Sequence, residues 1–358
     1  MNDMHYAVVV GINRYPGIRD LRHARSDARA FREWLVSPSG GMVPARNVRS
    51  VLAKPSDEKL FKLPREAQPT AGLVNDALFD VTEELRQRVR KDVASFKRSR
   101  LYVYASGHGI APANGTGAVL MADANAAQDA YGYNIEISLY SSWFVACGWF
   151  SELVFFADCC RDRMFNAPGM GPPWGACPNP FGETNVVTGF ATTFAASAFE
   201  PTDVKNLDQA RGYFTRALLD GLQGGAADPN TGRIDTNSLA PYVMQSVEAL
   251  TARKQFKQNP NIVGDVANPI VFRPAGSSTA RQRRQVTISF PAGFRGGATL
   301  QRGDLTTVKH WKSVGRLPKT LRLDEGFYLV VPDPPAAPDA FKNGGTFQIV
   351  GKDENVKL

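Results

Sequence analysis

The sequence is poor in the features that mark exported, membrane and zinc-binding proteins. It has four cysteines and four histidines in 358 residues. That is too few cysteines for a disulfide framework, and none of them is spaced as C-x-x-C. The longest early apolar run, Tyr6 to Ile12, has the length of a strand and lacks the flanks of a signal peptide. No window approaches the ~20 apolar residues that cross a bilayer. We therefore expect a soluble cytoplasmic protein in a reducing compartment, with no metal site and no membrane partner.

Positive charge is in excess, but it is concentrated near the end of the chain. The net charge is +8, and residues 276–358 hold 13 Lys/Arg against 7 Asp/Glu. A solvated basic surface and a nucleic-acid-binding surface both fit this excess. We favour the solvated surface and do not expect nucleic acid as a partner.

The first 275 residues alternate strand-like and helix-like segments. This alternation predicts an α/β fold, with a mostly parallel sheet sandwiched between helices. The continuous apolar run Tyr6 to Ile12 is typical of a strand covered on both faces. A basic linker is expected at residues 276–285. Short strand candidates separated by Gly and Pro turns follow at 286–358, so we predict a small, sandwich-like all-β module there. The predicted domains are thus 1–275 and 286–358.

Two of the predicted strands end in residues suited to nucleophilic catalysis. Ser106-Gly107-His108-Gly109 follows LYVYA, and Asp158-Cys159-Cys160 follows ELVFFA. Open α/β sheets place their sites beyond the carboxyl ends of strands. A histidine there can activate a cysteine thiol and protonate a leaving amine. A buried structural cysteine is the alternative for either residue alone, but the two together favour a catalytic pair.

These motifs together resemble the caspase-like cysteine peptidases, most closely the metacaspase and prokaryotic orthocaspase branch. The resemblance extends over residues 5–273. It includes the segment from Leu21 to Ala28 after the first strand, and the motifs FAASAFEP and GYFTRALLDGL. Members of that branch typically carry D-S-C-H-S-G around the nucleophile. Aligning Asp158 with the family aspartate puts Cys160 at the nucleophile and Cys159 at the usual serine position.

The resemblance implies a Cys–His dyad in a caspase-like fold. Cys160 would attack the scissile carbonyl, and His108 would handle the proton. The oxyanion would lie between the backbone N–H groups of Gly109 and Cys160. Strand alternation turns Cys159 to the face opposite Cys160, so we interpret Cys159 as a structural residue. No cofactor is implied.

The resemblance also implies a specificity. In the metacaspase branch an acidic pocket holds Arg or, less surely, Lys, and its residues correspond here to Asp27, Ser106 and Asp158. Carboxylates near the nucleophile suit a guanidinium. True caspases instead line this pocket with arginines and cleave after Asp. For Asp27 a helix N-cap is the alternative.

Two positions depart from the family pattern. Arg161 and Asp162 replace its His-Ser, and Arg161 could pair with Asp158 or block the pocket. Many metacaspases need calcium, but Ala167 stands where one expected ligand would be, which argues against calcium dependence.

Three basic segments could be sites of regulation. The loops at 54–70 and 161–186 and the linker contain Arg or Lys. They are candidate sites for self-cleavage or for an upstream activating protease, as in a zymogen, or are simply loops.

The sequence therefore predicts a cysteine endopeptidase that acts on protein substrates after basic residues. Prokaryotic members of this family often work in stress, cell-death or antiviral modules, and the resemblance implies such a role here. The first alternative is a catalytically inactive caspase-like scaffold, against which the intact His108 and Cys160 argue. The second is a nucleic-acid-binding protein that uses its basic tail.

Overall fold

The computed structural model divides the chain into two units. The first consists of Met1–Arg216 and Gln258–Phe272, and the second of Ala217–Lys257 and Arg273–Leu358. The predicted boundaries at 275 and 286 stay predictions. Most of the predicted linker and most of FAASAFEP lie outside the described residues. The structure describes residues 2–128, 131–164, 166–175, 177, 180–193, 198, 211–228, 230–251, 257–276, 283–303, 305–324, 326–333, 341, 344–349 and 353–358.

Strands and helices alternate through the first 220 residues. The helices are α1 (Ala24–Val36), α2 (Pro55–Glu58), α3 (Ala71–Lys91), α4 (Ile137–Cys147) and α5 (Tyr213–Asp220). The strands are β1 (His5–Gly11), β2 (Val48–Leu52), β3 (Arg100–Ser106), β4 (Gly109–Ala111), β5 (Ala118–Leu120), β6 (Asn134–Glu136), β7 (Glu152–Asp158), β8 (Asp162–Arg163) and β9 (Asn185–Phe190).

After α5 the described residues are mostly in strands and include one further long helix. This helix is α6 (Thr236–Thr251). The strands are β10 (Ile234–Asp235), β11 (Asn261–Gly264), β12 (Val271–Arg273), β13 (Arg283–Ser289), β14 (Ala298–Arg302), β15 (Thr307–Trp311), β16 (Lys319–Asp324), β17 (Gly326–Pro332), β18 (Gly345–Ile349) and β19 (Glu354–Lys357).

Six strands of the described residues form the main sheet, in the order β11-β9-β7-β3-β1-β2. All neighbours pair in parallel except β11, which is antiparallel to β9. Gly11 pairs with Ser106, and Ser106 pairs with Asp158. The carboxyl ends of three central strands therefore lie side by side, at the edge where both sequence motifs were expected to meet.

Helices cover both faces of this sheet because its strands alternate two sets of apolar side chains. On one face, Phe31 of α1 stacks on Tyr104 and packs edge-on against Phe156. On the other face, Leu78 of α3 shares a buried core with the odd-numbered residues of β3. Residues 104, 106, 156 and 158 thus point toward α1. The predicted fold class, a mostly parallel sheet between helices, is confirmed.

A second sheet lies next to the site, in the order β6-β5-β4-β8. The chain leaves β3 through Gly107 and His108 to enter β4, which is parallel to β8. It leaves β7 through residues 159–161 to enter β8. Both sequence motifs are therefore short links between the same two sheets.

The described residues of the second unit include two small sheets, in the orders β16-β13-β19 and β15-β14-β17-β18. Both contribute to one apolar core that includes Val286, Leu300, Val330, Phe341 and Phe347. Among the described residues, no helix is long and apolar enough to span a bilayer.

The structure contains a disulfide that the sequence analysis did not predict. It joins Cys147 at the end of α4 to Cys177, with the Cα atoms 4.7 Å apart, and Cys159 and Cys160 are free. Such bonds are typical of oxidising compartments. The number of cysteines therefore no longer favours a reducing compartment, and the cytoplasmic location stays a prediction.

Candidate active site

A cavity of about 760 Å³ opens at the carboxyl edge of the main sheet. It is lined by five of the six predicted site residues: Asp27, Ser106, His108, Asp158 and Cys160. The sixth, Gly109, lies beside them, because a Cβ atom at that position would come within 2.4 Å of the Cys160 carbonyl oxygen. The predicted site residues, which are spread over positions 27 to 160 of the sequence, thus lie around one cavity.

Cys160 is the more accessible of the two cysteines. It is half-buried, and its Sγ accepts a hydrogen bond from the Ala198 N–H at 3.2 Å and donates to the Ala198 carbonyl at 3.5 Å. Burial raises the pKa of this thiol to about 11, and the charges of Asp162 and Asp158 act in the same direction. The Ala198 hydrogen bond and the Arg19 charge lower the pKa. The thiol is therefore protonated at neutral pH.

Cys159 also borders the cavity, but it is only 1 % exposed. Its Sγ would lie 2.6 Å from a Cβ atom at position 109, so only glycine fits there. Burial raises the pKa of the Cys159 thiol further than that of Cys160. The strand alternation that was used to separate the two cysteines does not apply, since β7 ends at Asp158. The two side chains nevertheless have different environments.

His108 is held from three sides. Its Nε2 lies 2.5 Å from the Arg19 carbonyl oxygen, and its backbone N–H donates to the Tyr15 hydroxyl at 3.0 Å. The Tyr15 ring packs edge-on against the imidazole, with the centroids 4.8 Å apart. The Leu120 N–H donates to the His108 carbonyl at 2.8 Å.

Sequence reasoning missed Tyr15 and Arg19. Tyr15 is only 1 % exposed, and its hydroxyl donates to the Leu120 carbonyl at 3.0 Å. Burial raises the pKa of Tyr15, which keeps the hydroxyl protonated and able to donate. The only signal was an aromatic residue within a turn-rich segment, NRYPGIRD. The support that Arg19 gives His108 comes from a backbone carbonyl, which any residue could supply, so the residue type carried no signal for this contact.

Asp27 and Asp158 converge on one point. An Oδ2 atom of each would lie 3.2 and 2.5 Å, respectively, from a Cβ atom built on Gly212. The Gly212 N–H donates to Asp27 at 3.0 Å, and Thr215 donates to Asp158 through its N–H at 3.2 Å and its hydroxyl at 2.5 Å. The Ser106 hydroxyl lies 3.5 Å from Asp27. Gly212 and Thr215, from the GYFT motif, are thus further members of this acidic cluster.

The alternative role for Asp27, a helix N-cap, does not fit the structure. Helix α1 begins at Ala24 with His23 as its N-cap, so Asp27 lies inside the first turn. Its residue exposure is 2 %, and its carboxylate borders the cavity and accepts from the Gly212 N–H, whereas the Arg25 N–H at the helix start donates to the side chain of Asn13.

The structure gives Arg161 a different role from those proposed for it on sequence grounds. The guanidinium donates to the carbonyls of Thr116 at 2.9 Å, Gly115 at 2.5 Å and Thr192 at 3.4 Å. It also lies 4.3 Å from the ring centroid of Phe190. Arg161 therefore ties the loop between β4 and β5 to the end of β9, instead of pairing with Asp158 or filling the cavity.

No group of three or more metal-ligating side chains occurs in the part of the chain that the structure describes. Ala167, where the resemblance would place a calcium ligand, is a buried apolar residue. Independence of calcium stays a prediction.

The comparisons with known proteins include a family model, a relative in sequence and a solved structure. The family model described as "Caspase domain" matches residues 4–269. A probable protease from a Desulfuromonadales bacterium is 29% identical over 235 residues, which make up 62% of this chain and 26% of that protein. The chain thus spans just over a quarter of that relative's length. The crystal structure of caspase-1 from Spodoptera frugiperda matches with a TM-score of 0.44 and 15% identity, covering 77% of this chain and 92% of that one.

Proposed function

Because this chain belongs to the caspase-domain family of peptidases, we propose that it is a cysteine endopeptidase that cleaves proteins after arginine and, less efficiently, after lysine. The caspase-like family predicted from the sequence is confirmed, whereas the metacaspase branch and its basic specificity are part of this proposal. One observation carries it: a thiol, an imidazole and two carboxylates line the same cavity.

In this mechanism His108 is the base for Cys160. A carbonyl oxygen can only accept a hydrogen bond, so the contact with Arg19 assigns the proton of the neutral ring to Nε2. Nδ1 is then the nitrogen that accepts the thiol proton and later returns it to the leaving amine. The Arg19 carbonyl would also stabilise the imidazolium formed in between.

The raised pKa of Cys160 indicates at which step of the reaction the thiol loses its proton. With a pKa of about 11, the Cys160 side chain is protonated at neutral pH when no substrate is bound. Proton transfer to His108 would therefore accompany the attack of Sγ on the scissile carbonyl and not precede substrate binding. The Ala198 contacts with Sγ would be replaced as the scissile carbonyl approaches.

The backbone N–H groups of Gly109 and Cys160 would bind the oxyanion of the tetrahedral intermediate. A donor of this kind is worth about 3 kcal/mol in the transition state. Glycine at 109 is required on steric grounds, since a Cβ atom there would collide with both Cys159 and the Cys160 carbonyl.

The acidic cluster supports the preference for arginine. Asp27 and Asp158 bring one carboxylate oxygen each close to the same point and are buried to 2 % and 8 % exposure. A planar guanidinium can bond both carboxylates at once, whereas an ammonium on a flexible stem fits less well. An acidic side chain would meet two like charges.

Peptide cleavage tests this specificity. Peptides that differ only in Arg, Lys, Asp or citrulline at the scissile position should be cleaved fastest after Arg, and not after Asp. Asp158→Asn should lower kcat/KM for the Arg peptide by about 10- to 150-fold, the worth of one hydrogen bond between charged groups. Its effect on the neutral citrulline peptide should be much smaller.

Asp80→Asn is the matched control, since Asp80 is exposed on α3. It should leave all four rates unchanged. Cleavage after Asp, or an equal loss on the Arg and citrulline peptides in Asp158→Asn, would refute the assignment of the pocket.

A further inference from the structure

The cavity is lined by buried negative charges and by exposed positive charges. Its buried carboxylates are Asp27 and Asp158, whereas Arg14, Arg19 and Arg22 also line it. Arg19 and Arg22 are exposed, and the exposed Asp20 pairs with Arg14, so the charge at the mouth is net positive. Arg19 is near enough to Cys160 for its charge to lower the pKa of that thiol. A substrate would thus meet cations before its scissile residue reaches the carboxylates.

A second cavity of about 500 Å³ continues from this mouth, since it shares Arg14 and Asp20 with the first. Two ion pairs use both of its carboxylates: Arg14 pairs with Asp20 at 2.6 Å, and Arg25 pairs with Glu58.

The remaining lining residues of this second cavity are Lys59 and Lys62. Both are exposed, and neither forms an ion pair with any residue that the structure describes. Because the two ion pairs are neutral, the net charge of this cavity beside the active site is positive and comes from the two lysines.

The two lysines are held next to the site by a specific contact. Arg14 donates from Nη2 and Nε to the carbonyl of Phe61, at 2.9 and 3.3 Å. Phe61 lies between Lys59 and Lys62 in the sequence, so this contact fixes their segment against the loop that carries Arg19. The side chain of Glu66 accepts from the backbone N–H of Leu63 at 3.2 Å, which further orders the segment.

We infer that Arg19, Lys59 and Lys62 form a basic rim that binds acidic residues flanking the scissile arginine. The preferred substrate is then an acidic segment that carries a single basic residue. This inference rests on the proposed function. Exposed charges of opposite sign steer a substrate and add modest affinity, whereas a run of basic residues is repelled from the rim. The rim selects the context of the cleavage site, and the acidic cluster selects the residue that is cut.

Binding to the full-length Cys160→Ala protein separates this inference from catalysis. Four labelled peptides combine a central Arg or citrulline with flanks of two Glu or two Lys on each side. Glu-flanked peptides should bind at least about fivefold more tightly than Lys-flanked ones, whichever residue is central. The difference should shrink toward none at about 0.5 M NaCl, where screening is strong.

Reversing the charge of the two lysines tests whether they cause the preference for Glu flanks. Lys59→Glu with Lys62→Glu, made in the Cys160→Ala background, should abolish or invert the flank preference. The control is Lys91→Glu with Lys97→Glu, which makes the same change in net charge just before β3 begins, at the opposite end of the sheet. This control should keep the preference.

The possible outcomes are distinct. Equal binding of both flanks at low salt, or a preference that survives the reversal at 59 and 62, overturns the inference even if the wild-type protein cleaves after Arg. A flank preference that the reversal removes, in a protein that cleaves neither Arg nor Lys peptides, supports the basic rim and refutes the proposed specificity.

Discussion

Removing one hydroxyl, that of Tyr15, should separate the support of His108 from substrate binding. In Tyr15→Phe the ring stays, but the His108 N–H and the Leu120 carbonyl lose a partner that lies 3.0 Å from each. Each buried group left without a partner costs about 1–3 kcal/mol. We therefore expect a total loss of about 2–6 kcal/mol in the free energy of unfolding.

Two measurements follow from Tyr15→Phe. In a domain of this size, where 1 kcal/mol corresponds to about 2 °C, such a loss lowers Tm by about 4–12 °C, which calorimetry can detect. Because His108 is then less firmly oriented, kcat should fall by about tenfold while KM is unchanged.

Tyr140→Phe is the matched control, since it removes a comparable buried hydrogen bond to Asn75 at 2.7 Å. It should lower Tm and leave kcat unchanged. A normal kcat in Tyr15→Phe, or a change confined to KM, would refute a positioning role for Tyr15.

Two further predictions concern residues next to the site. Arg161→Met removes three hydrogen bonds to carbonyls and should lower the free energy of unfolding by about 2–4 kcal/mol, measured by urea denaturation. Arg161→Lys should restore part of this loss. An unchanged urea midpoint for Arg161→Met would contradict the prediction. In the Cys159→Ala protein, alkylation of Cys160 should accelerate about tenfold per pH unit from pH 7 to 10, because the thiolate fraction rises toward a pKa of about 11. An alkylation rate that levels off near pH 7 would show instead that Cys160 is already a thiolate at that pH.

The main sheet could be predicted because its strands are encoded locally. The run Tyr6 to Ile12 predicted β1, and LYVYA and ELVFFA predicted β3 and β7. In the structure these two strands end at Ser106 and Asp158, so β7 stops before the two cysteines that were expected to continue it. Once these strands are parallel neighbours, the polar residues after them must lie at one edge. The order of the strands, and thus the pairing of Ser106 with Asp158, follows from long-range contacts that no local pattern contains.

The supports of the site could not be predicted in the same way. The Arg19 carbonyl contacts His108, 89 residues away, and Thr215 contacts Asp158 across 57 residues. Backbone groups carry no sequence signal, and a threonine that bonds a buried carboxylate is indistinguishable from any other. Arg161 was unexplained for the same reason, because its partners are carbonyls. The bond between Cys147 and Cys177 likewise joins residues with no shared motif.

The central claim is that one thiol of the CC doublet cleaves peptides after arginine. Its most direct test is release of a fluorophore from an Arg-ending peptide by the wild-type, Cys160→Ala and Cys159→Ala proteins at equal concentration. We expect release by the wild type and by Cys159→Ala, and no release by Cys160→Ala. Release that persists in Cys160→Ala, or that is lost equally in both variants, would contradict it.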